Sequence, residues 1–542
     1  MNILKWSAGV AVFLGVVLWF GARHQTESVA RATPPTEAGA ETRGAVAFEG
    51  AAFGGLGLGP LETNAVPWRL VAAALVLEEQ QRDPAAAVSQ ETLLRALRRF
   101  GFLTPAKVLN RAAEIPEGVE ILPLGMTYGD IAPFAGAKIR VANLGCAACH
   151  AGVTYDSTGA PQTGRVMLGM PNTSINLEAY TLTVFEALRR FVDDERLLET
   201  AAALFPEMSW RERVSLSYVV MPLAVSRIEQ LAGKDRPMPF TNGVPGATNG
   251  VAALKAALKV ELEGGGPGDA GVVSVPDLGS RVWRTSLLAD GAYAVPGEKA
   301  QLAMRAEGLS ADHLAALAAI TTFFTVPSMG VHPDDAFDSA GDARDIMQFL
   351  KAYRPQPFPG SVDTAMAGRG RMLYARACAS CHGDYSDEAR PNLVMFPNWQ
   401  GDAGTDGLRA QAFSRALGDA VSGTAYDARI AVRPGNGYVA PPLTGLWASA
   451  PYLHNGSVPT LWALLSPDQR PPRFQVGGHA LDLSRVGLRI GVDGSYPAGY
   501  TAFADPVWID TQRPGLGNQG HRFGEEFSDT EKLDLIEFLK GL

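Results

Sequence analysis

The sequence of 542 residues predicts a mostly α fold with long irregular loops and few, short strands. Amphipathic helical patterns occupy residues 177–192, 209–231 and 309–326, whereas strand signals are scarce. The chain also has 59 glycines and 37 prolines, more of these loop-forming residues than average. Its length favours more than one domain.

All four cysteines lie in two copies of one pentapeptide, and each copy ends in histidine. The copies are Cys146-Ala-Ala-Cys149-His150 and Cys378-Ala-Ser-Cys381-His382. C-x-x-C-H is the attachment signal of a c-type haem, in which both thiols bind the porphyrin and the imidazole ligates iron. The alternative is a pair of redox or zinc-type C-x-x-C sites, but it requires two histidines to follow by chance when the chain has only eight. We therefore predict two covalently bound haem c groups, with His150 and His382 as iron ligands.

The two motifs divide the chain into two predicted cytochrome c-like haem domains. The first covers residues 55–354 and includes a helical region between the motifs, and the second covers residues 363–542. The segment between them is rich in proline and glycine, which is typical of a linker. The second domain begins with a helical pattern leading into Cys378. It ends with a helix for which Ser528 and Glu531 form a capping box.

Residues 1–22 are predicted to be a membrane anchor or signal segment, followed by a flexible linker at residues 23–54. Residues 6–22 are uncharged and mostly apolar, which is close to the minimum length of a spanning helix and longer than most signal-peptide cores. A small-residue cleavage site at Ala30-Arg31-Ala32 lies far from this run, which favours an uncleaved anchor. We expect the protein on the periplasmic side of the bacterial inner membrane, or periplasmic or secreted if the segment is cleaved.

The charge distribution restricts the partners. The net charge is −9, and no basic cluster occurs along the chain. Nucleic acid is therefore excluded as an expected partner. The predicted partners are a small redox substrate or oxidant and a soluble or membrane-bound electron donor or acceptor, with the membrane contacted through the N-terminal segment.

The segment from Ala450 to Leu461, APYLHNGSVPTL, resembles a signature of the bacterial di-haem cytochrome c peroxidase superfamily. Further matching segments occur in the expected order: Gly169-Met-Pro-Asn-Thr173, Gly404-Thr-Asp406 and Asn518-Gln-Gly-His521-Arg-Phe-Gly524. The chain length and the separation of the two haem motifs are most similar to the rubber-oxygenase branch of this superfamily.

The resemblance implies a division of labour between the two haems. The haem on His150 would react with peroxide or dioxygen, so His150 is the predicted catalytic residue. The haem on His382 would be six-coordinate and pass electrons, and the matching position for its distal ligand is His521. His479 is the alternative ligand, and His454 is expected to be structural or to bond a propionate.

The sequence departs from the rubber oxygenases in residues 275–291, where that branch carries aromatic side chains over the first haem. Trp283 is the only aromatic residue of this segment, which argues against polyisoprene cleavage. No distal acid follows from the pattern, and Glu261, Glu263 and Asp290 are only nearby candidates.

We therefore predict a di-haem oxidoreductase of the cytochrome c peroxidase type, with peroxidase-like or oxygenase-like reactivity. The alternative is a non-catalytic, membrane-tethered electron-transfer cytochrome, or the cytochrome subunit of a dehydrogenase. The long helical region between the motifs favours the enzyme, because a carrier needs only a small domain for each haem.

Overall fold

The computed structural model describes residues 27–28, 37–49, 66–111, 123–134, 137–232, 237–260, 271–297, 303–328, 332–435 and 437–542. The predicted anchor at residues 6–22 lies outside these ranges. Within them, no helix is both long enough and apolar enough to span a membrane. The longest apolar helix, Ala311–Ser328, has 18 residues and is packed inside the protein. The prediction of an anchored location at the inner membrane is corrected to this extent: no spanning helix occurs in the part of the chain that the structure describes.

Helices make up most of the regular structure. Those of eight or more residues are Ala40–Glu49, Trp68–Arg82, Gln90–Arg99, Leu177–Phe191, Glu195–Leu204, Met221–Ala232, Gly250–Ala257, Ala311–Ser328, Ala340–Ala352, Thr364–Ala377 and Asp529–Leu539. Shorter helices are Cys146–Cys149, Trp210–Ser215, Leu216–Val220 (π-helical), Pro333–Ala336, Ala379–His382, Leu408–Gln411, Arg415–Asp419 and Leu461–Leu465. Single 3-10 turns lie at Arg281–Trp283, Ala306–Gly308, Phe337–Ser339, Leu446–Ala448 and Pro467–Gln469. The mostly α prediction with long loops is compatible with this organisation.

Strands are numerous in the described residues rather than few, although most have only two residues. They are Glu27–Ser28, Val66–Pro67, Lys107–Val108, Met126–Phe134, Ala137–Leu144, Ala151–Tyr155, Pro161–Leu168, Ala247–Thr248, Val273–Ser274, Ser286–Leu287, Tyr293–Ala294, Met304–Arg305, Asp384–Tyr385, Leu393–Phe396, Gln400–Gly401, Ala431–Val432, Tyr438–Val439, Arg473–Val476, Leu481–Asp482, Gly487–Leu488 and Val507–Asp510. The prediction of few strands was wrong because two-residue pairings inside loops leave no alternating pattern to detect.

The three internal helices predicted from periodicity are all present. Residues 177–192 form Leu177–Phe191, and residues 309–326 form Ala311–Ser328. Residues 209–231 are helical as well, but a π-helical turn at Leu216–Val220 interrupts the α-helix. The Ser209 hydroxyl accepts a hydrogen bond from the Glu212 N–H at 3.1 Å, which caps the start of this segment.

The predicted flexible linker at residues 23–54 contains a packed helix, Ala40–Glu49. Phe48 is 1% exposed and its ring lies 5.3 Å from that of Phe349. A Cβ at Gly44 would lie 1.9 Å from the backbone oxygen of Asp345, so the two helices touch there. The linker was predicted from the alanine, threonine, glutamate and proline content of this stretch, and for the helix at Ala40–Glu49 the prediction is corrected.

The hydrophobic core is continuous across the predicted domain boundary. Buried side chains from both sides belong to one cluster, in which Tyr293 packs against Phe413 with ring centroids 5.2 Å apart. Arg99 and Asp505 form an ion pair of 2.5 Å between the two parts. Two separate cytochrome c domains are therefore not distinguished by core packing, and the boundaries at residues 354 and 363 stay a prediction.

The helices at the two ends of the second part cross in direct backbone contact. A Cβ at Gly370 in Thr364–Ala377 would lie 1.9 Å from the backbone oxygen of Asp534 in Asp529–Leu539. Arg369 pairs with the Asp534 carboxylate at 2.6 Å beside this crossing. The capping box of Ser528 and Glu531, predicted from sequence, is confirmed.

Candidate haem site

The first C-x-x-C-H motif is held at the end of a long antiparallel hairpin. Strands Met126–Phe134 and Ala137–Leu144 pair, and Cys146–Cys149 then forms a single helical turn. Gly125, with φ of 77°, approaches this turn so closely that a Cβ would lie 1.9 Å from the backbone nitrogen of Ala148. The Asn172 side-chain amide donates to the Ala148 carbonyl at 3.0 Å. The hairpin and Asn172 thus fix the orientation of the motif.

The second motif follows directly on helix Thr364–Ala377. Cys378 ends that helix, and Ala379–His382 forms another helical turn. The Tyr374 hydroxyl donates to the Gly383 carbonyl at 2.8 Å, which ties the end of the motif back onto the helix. The crossing of this helix with the C-terminal helix therefore positions the second motif.

The two motif histidines have the same hydrogen-bond arrangement. Nδ1 of His150 lies 3.2 Å from the carbonyl of Pro276, and Nδ1 of His382 lies 2.8 Å from the carbonyl of Pro441. A carbonyl can only accept, so each Nδ1 carries the proton and each Nε2 has a lone pair for a metal. Burial lowers the pKa of His150 to about 4, and it also lowers the pKa of His382. Both imidazoles are therefore neutral ligands at pH 7.

Both motifs open into the same cavity, which has a volume of about 1540 Å³. Six motif residues are in its wall: Cys146, Cys149, His150, Cys378, Cys381 and His382. Pockets for a single small molecule are typically about 300–1,000 Å³. The cavity has room for more than one large planar group.

His521 faces the second motif histidine within this cavity. The ring centroids of His382 and His521 are 6.2 Å apart, and the ring planes are inclined by 49°. Two imidazoles bound through nitrogen to opposite sides of one metal, at about 2.0–2.1 Å each, have centroids roughly 6 Å apart. Burial lowers the pKa of His521 to about 4, which keeps this imidazole neutral as well. The geometry therefore suits a bis-imidazole metal site.

The other described histidines have partners away from the two motif imidazoles. They are His454, stacked on Tyr438; His479, hydrogen-bonded to Tyr155; His313, hydrogen-bonded to the Val282 carbonyl; and His332, at a helix N-terminus. In the described part of the chain, no second histidine ring contacts His150. His454 lines the cavity, and its Nε2 is buried without a hydrogen-bond partner.

Three arginines, Arg281, Arg284 and Arg409, also line the cavity. Nε of Arg284 and Nε of Arg409 are buried without a partner, and burial lowers the pKa of Arg284 to about 9. Only Arg409 has a buried carboxylate partner, Asp290, at 2.7 Å. Burial raises the pKa of Asp277 to about 8, so this neighbouring acid is mostly neutral at pH 7. The cavity thus has a surplus of positive charge, which fits the carboxylates of haem propionates.

The thiols of the first motif do not have the properties of a dithiol redox site or a zinc site. Burial raises the pKa of Cys146 to about 11 and that of Cys149 to about 12. Metal binding and disulfide exchange both require thiolate, which is scarce at such pKa values. Among the described residues, no group of three or more histidine, cysteine or acidic side chains could hold a metal ion alone. The residues fit covalent haem better than a bare metal.

The segments that orient the two motif histidines are bonded to each other. Ser280 and Thr444 share a hydrogen bond of 2.9 Å between their hydroxyls, and the Ser449 hydroxyl accepts from the Asp277 N–H at 3.2 Å. Pro276 and Pro441, whose carbonyls hold the imidazoles, lie at the start of these segments. The loops whose carbonyls hold His150 and His382 are therefore hydrogen-bonded to each other.

Sequence reasoning named the six motif residues and His521 but missed several others. The proline carbonyls leave no side-chain signal, because any residue has a carbonyl. The three cavity arginines are distant from the motifs in sequence. The Asp290 carboxylate, considered as a distal acid, is instead paired with Arg409, and Glu261 and Glu263 lie outside the described residues.

The comparisons with known proteins agree with a haem site in part of the chain. A family described as RoxA-like, cytochrome c-like matches residues 437–475, which include His454. The chain is 31% identical over 241 residues to the uncharacterized protein y4iM of Sinorhizobium fredii (strain NBRC 101917 / NGR234), covering 36% of this chain and 52% of that protein. It is 31% identical over 258 residues to the uncharacterized protein y4iJ of the same strain, covering 35% and 41%.

The chain thus spans about half the length of the curated relatives that it matches. The matched segment is cytochrome c-like, which indicates covalently bound haem c and electron transfer.

Proposed function

We propose that the chain is a di-haem c-type cytochrome that acts as an oxidoreductase on peroxide or dioxygen. The proposal rests on one observation. Two C-x-x-C-H motifs share a cavity, but in the described residues only the second has another histidine opposite its own. The described residues could therefore supply two histidine ligands to an iron at the second site but only one at the first site. Resemblance to the di-haem cytochrome c peroxidase superfamily supports the same division.

The motif residues would hold the two haems. Cys146 and Cys149 would form the thioether bonds of the first haem, and His150 would ligate its iron. The residues of the second motif would do the same for the second haem. Each bound haem supplies an iron that changes oxidation state and, where a coordination position is free, binds a small oxidant.

At the second site His382 and His521 occupy both sides of the position between their rings, 6.2 Å apart from centroid to centroid. Two strong nitrogen ligands exclude small molecules from that position. The role of these residues is therefore to hold an electron-transfer centre rather than a reaction centre.

At the first site His150 is the only ligand that we assign. The cavity wall contains many apolar side chains, among them Phe240, Leu287, Leu288 and Phe324. These apolar side chains limit the access of water and cannot themselves ligate iron. We assign His150 as the residue that holds the reactive centre, with a small oxidant on the cavity side.

Arg281, Arg284 and Arg409 would bind haem carboxylates, because their cationic groups lack sufficient buried counter-charge. The electrons would come from an external redox partner. The net charge of −9 favours a basic partner through electrostatic steering.

The assignment is tested by electron paramagnetic resonance of the oxidised protein. We expect one low-spin centre and one high-spin or weakly ligated centre. Replacing His521→Ala should convert the low-spin centre to high spin. His454→Ala is the matched control, since His454 lines the same cavity and should leave the low-spin signal unchanged. A spin change in H454A with an unchanged spectrum in H521A would show that the ligand assignment is wrong.

Ligand binding separates the enzyme from a carrier. Cyanide or carbon monoxide should perturb one haem in the wild type and both haems in H521A, because the second ligand position is then vacated. If neither ligand binds in any oxidation state, the protein is an electron carrier and the oxidoreductase proposal fails.

A further inference from the structure

A tyrosine and a histidine form a buried pair behind the first motif. The hydroxyl of Tyr155 lies 3.1 Å from Nε2 of His479, and the two rings stack with centroids 6.0 Å apart. Tyr155 is 7% exposed and His479 is 3% exposed. His479 is not part of the cavity wall, so it is poorly placed as an iron ligand. The haem-binding account leaves this pair without a role.

The pair is close to both motif and cavity. Tyr155 ends strand Ala151–Tyr155, which starts at the residue after His150. At about 3.3 Å per residue, the backbone between them spans roughly 16 Å. The Tyr155 ring also contacts that of Trp447 at 6.3 Å, and the neighbouring Leu446 lies in the cavity wall. Tyr155 thus contacts a tryptophan that is adjacent in sequence to a residue of the cavity wall.

The chemistry of the pair is that of a proton donor and a proton acceptor. Burial lowers the pKa of His479 to about 4, so the imidazole is neutral at pH 7 and can take up a proton. Burial also raises the pKa of Tyr155 far above its ordinary value, so the phenol does not ionise by itself. The phenol hydroxyl and Nε2 share this hydrogen bond, in which the hydroxyl donates when the imidazole proton is on Nδ1, and Nδ1 is buried without a partner. Burying such an orphan polar group is unfavourable, and an apolar pair would avoid that cost.

We propose that Tyr155 is a redox-active residue that gives one electron to a peroxide-oxidised haem and its phenolic proton to Nε2 of His479. The O–H bond breaks and an N–H bond forms, leaving a neutral tyrosyl radical beside an imidazolium. The haem centre gains the electron, and hydrogen peroxide is the terminal oxidant. The inference rests on the proposed function, because the haem must first react with peroxide. Tyr155 then stores an oxidising equivalent outside the cavity.

Tyr452 lacks such an acceptor. Tyr452 is buried and lines the cavity, but its hydroxyl donates to the carbonyl of Val486 at 3.4 Å. A carbonyl is far less basic than a neutral imidazole, so oxidation of Tyr452 would have to expel a proton without a base to receive it. Tyr452 is therefore the matched control for Tyr155.

The test is to mix the oxidised holoprotein with hydrogen peroxide, freeze the sample within milliseconds and record its electron paramagnetic resonance spectrum. We expect an organic radical whose hyperfine structure narrows when the protein contains ring-deuterated tyrosine. Tyr155→Phe should reduce this signal to background, and Tyr452→Phe should leave it intact. Isotope labelling of the wild type does not disturb folding, so it assigns the radical to tyrosine independently of the variants.

The role of His479 has its own readout. His479→Phe keeps a ring but removes the acceptor, and the tyrosyl signal should fall to background while the haem content is unchanged. In the wild type, deuterium oxide should slow the appearance of the radical because a proton moves with the electron.

The outcomes separate the two proposals. If peroxide changes the haem absorption spectrum but no tyrosyl radical forms, or if the radical persists in Y155F, the inference is overturned and the proposed function survives. If peroxide leaves the haem spectrum unchanged, both proposals fail.

Discussion

The buried carboxylate of Asp290 could serve as one half of a structural ion pair or as a catalytic acid, and a substitution at this position distinguishes the two roles. Its carboxylate lies 2.7 Å from the Arg409 guanidinium, and the side chains are 1% and 3% exposed. Asp290→Asn keeps the shape of the side chain but removes the buried negative charge. Arg409 already has one buried nitrogen without a partner, so the variant leaves a cation with little compensation.

Removing one member of a buried ion pair costs about 3–5 kcal/mol. We therefore expect the free energy of unfolding of the haem-loaded D290N protein to fall by up to this amount, because a haem carboxylate bound to Arg409 would offset part of the loss. The measurement is urea unfolding followed by circular dichroism. The matched control is Asp419→Asn, since Asp419 forms an exposed pair with Arg415 at 3.9 Å. The control should change stability by less than about 1 kcal/mol.

A double variant refines the test. Arg409→Met in the D290N background removes the unpaired cation, so part of the lost stability should return. If D290N instead retains wild-type stability and loses its reaction with peroxide, Asp290 acts as a proton-transfer residue and the ion-pair reasoning is refuted.

Three further predictions follow from the packing and the buried acids. In urea unfolding, Gly370→Ala should destabilise the protein by about 1–3 kcal/mol or more, because the new Cβ would overlap the C-terminal helix. The control is Gly368→Ala, which has open space around it and should be neutral or stabilising by up to about 1 kcal/mol. Gly125→Ala would force a Cβ against Ala148 and should reduce the haem content to about one per chain by absorbance; two haems would contradict this. Folding raises the pKa of Asp277 from 3.8 to about 8, so the contribution of this group to stability should be largest below pH 4 and should decline as the pH rises to 8. The free energy of unfolding of Asp277→Asn, measured over the same pH range, should lack that decline. A pH profile identical to that of the wild type would contradict the burial argument.

Local patterns predicted the features that depend on local chemistry. Helix Asp529–Leu539 and its capping box follow from residues within a few positions of each other. The order of the sequence motifs pointed to His521, which lies against His382 although 139 residues separate them in the chain. His521 was singled out by a family resemblance rather than by periodicity, and its role as a ligand stays a prediction.

Contacts between distant segments could not be predicted in this way. Tyr155 and His479 are 324 positions apart, and neither position has a local pattern that marks a pair. The helix at Ala40–Glu49 lies in a stretch whose alanine, threonine, glutamate and proline content predicted a linker, whereas Gly44 in this helix allows close packing against the helix that contains Asp345. The short strands were not predicted for a related reason, since each one forms only by pairing with a segment elsewhere in the chain.

The central claim is that one chain carries two covalent haems at chemically different sites. The most direct test is a pyridine haemochrome assay of the denatured protein, with the protein concentration determined by amino-acid analysis. We predict two haems per chain in the wild type, one after Cys146 and Cys149 are both replaced by alanine, and one after the same change at Cys378 and Cys381. One haem per chain in the wild type would contradict the account.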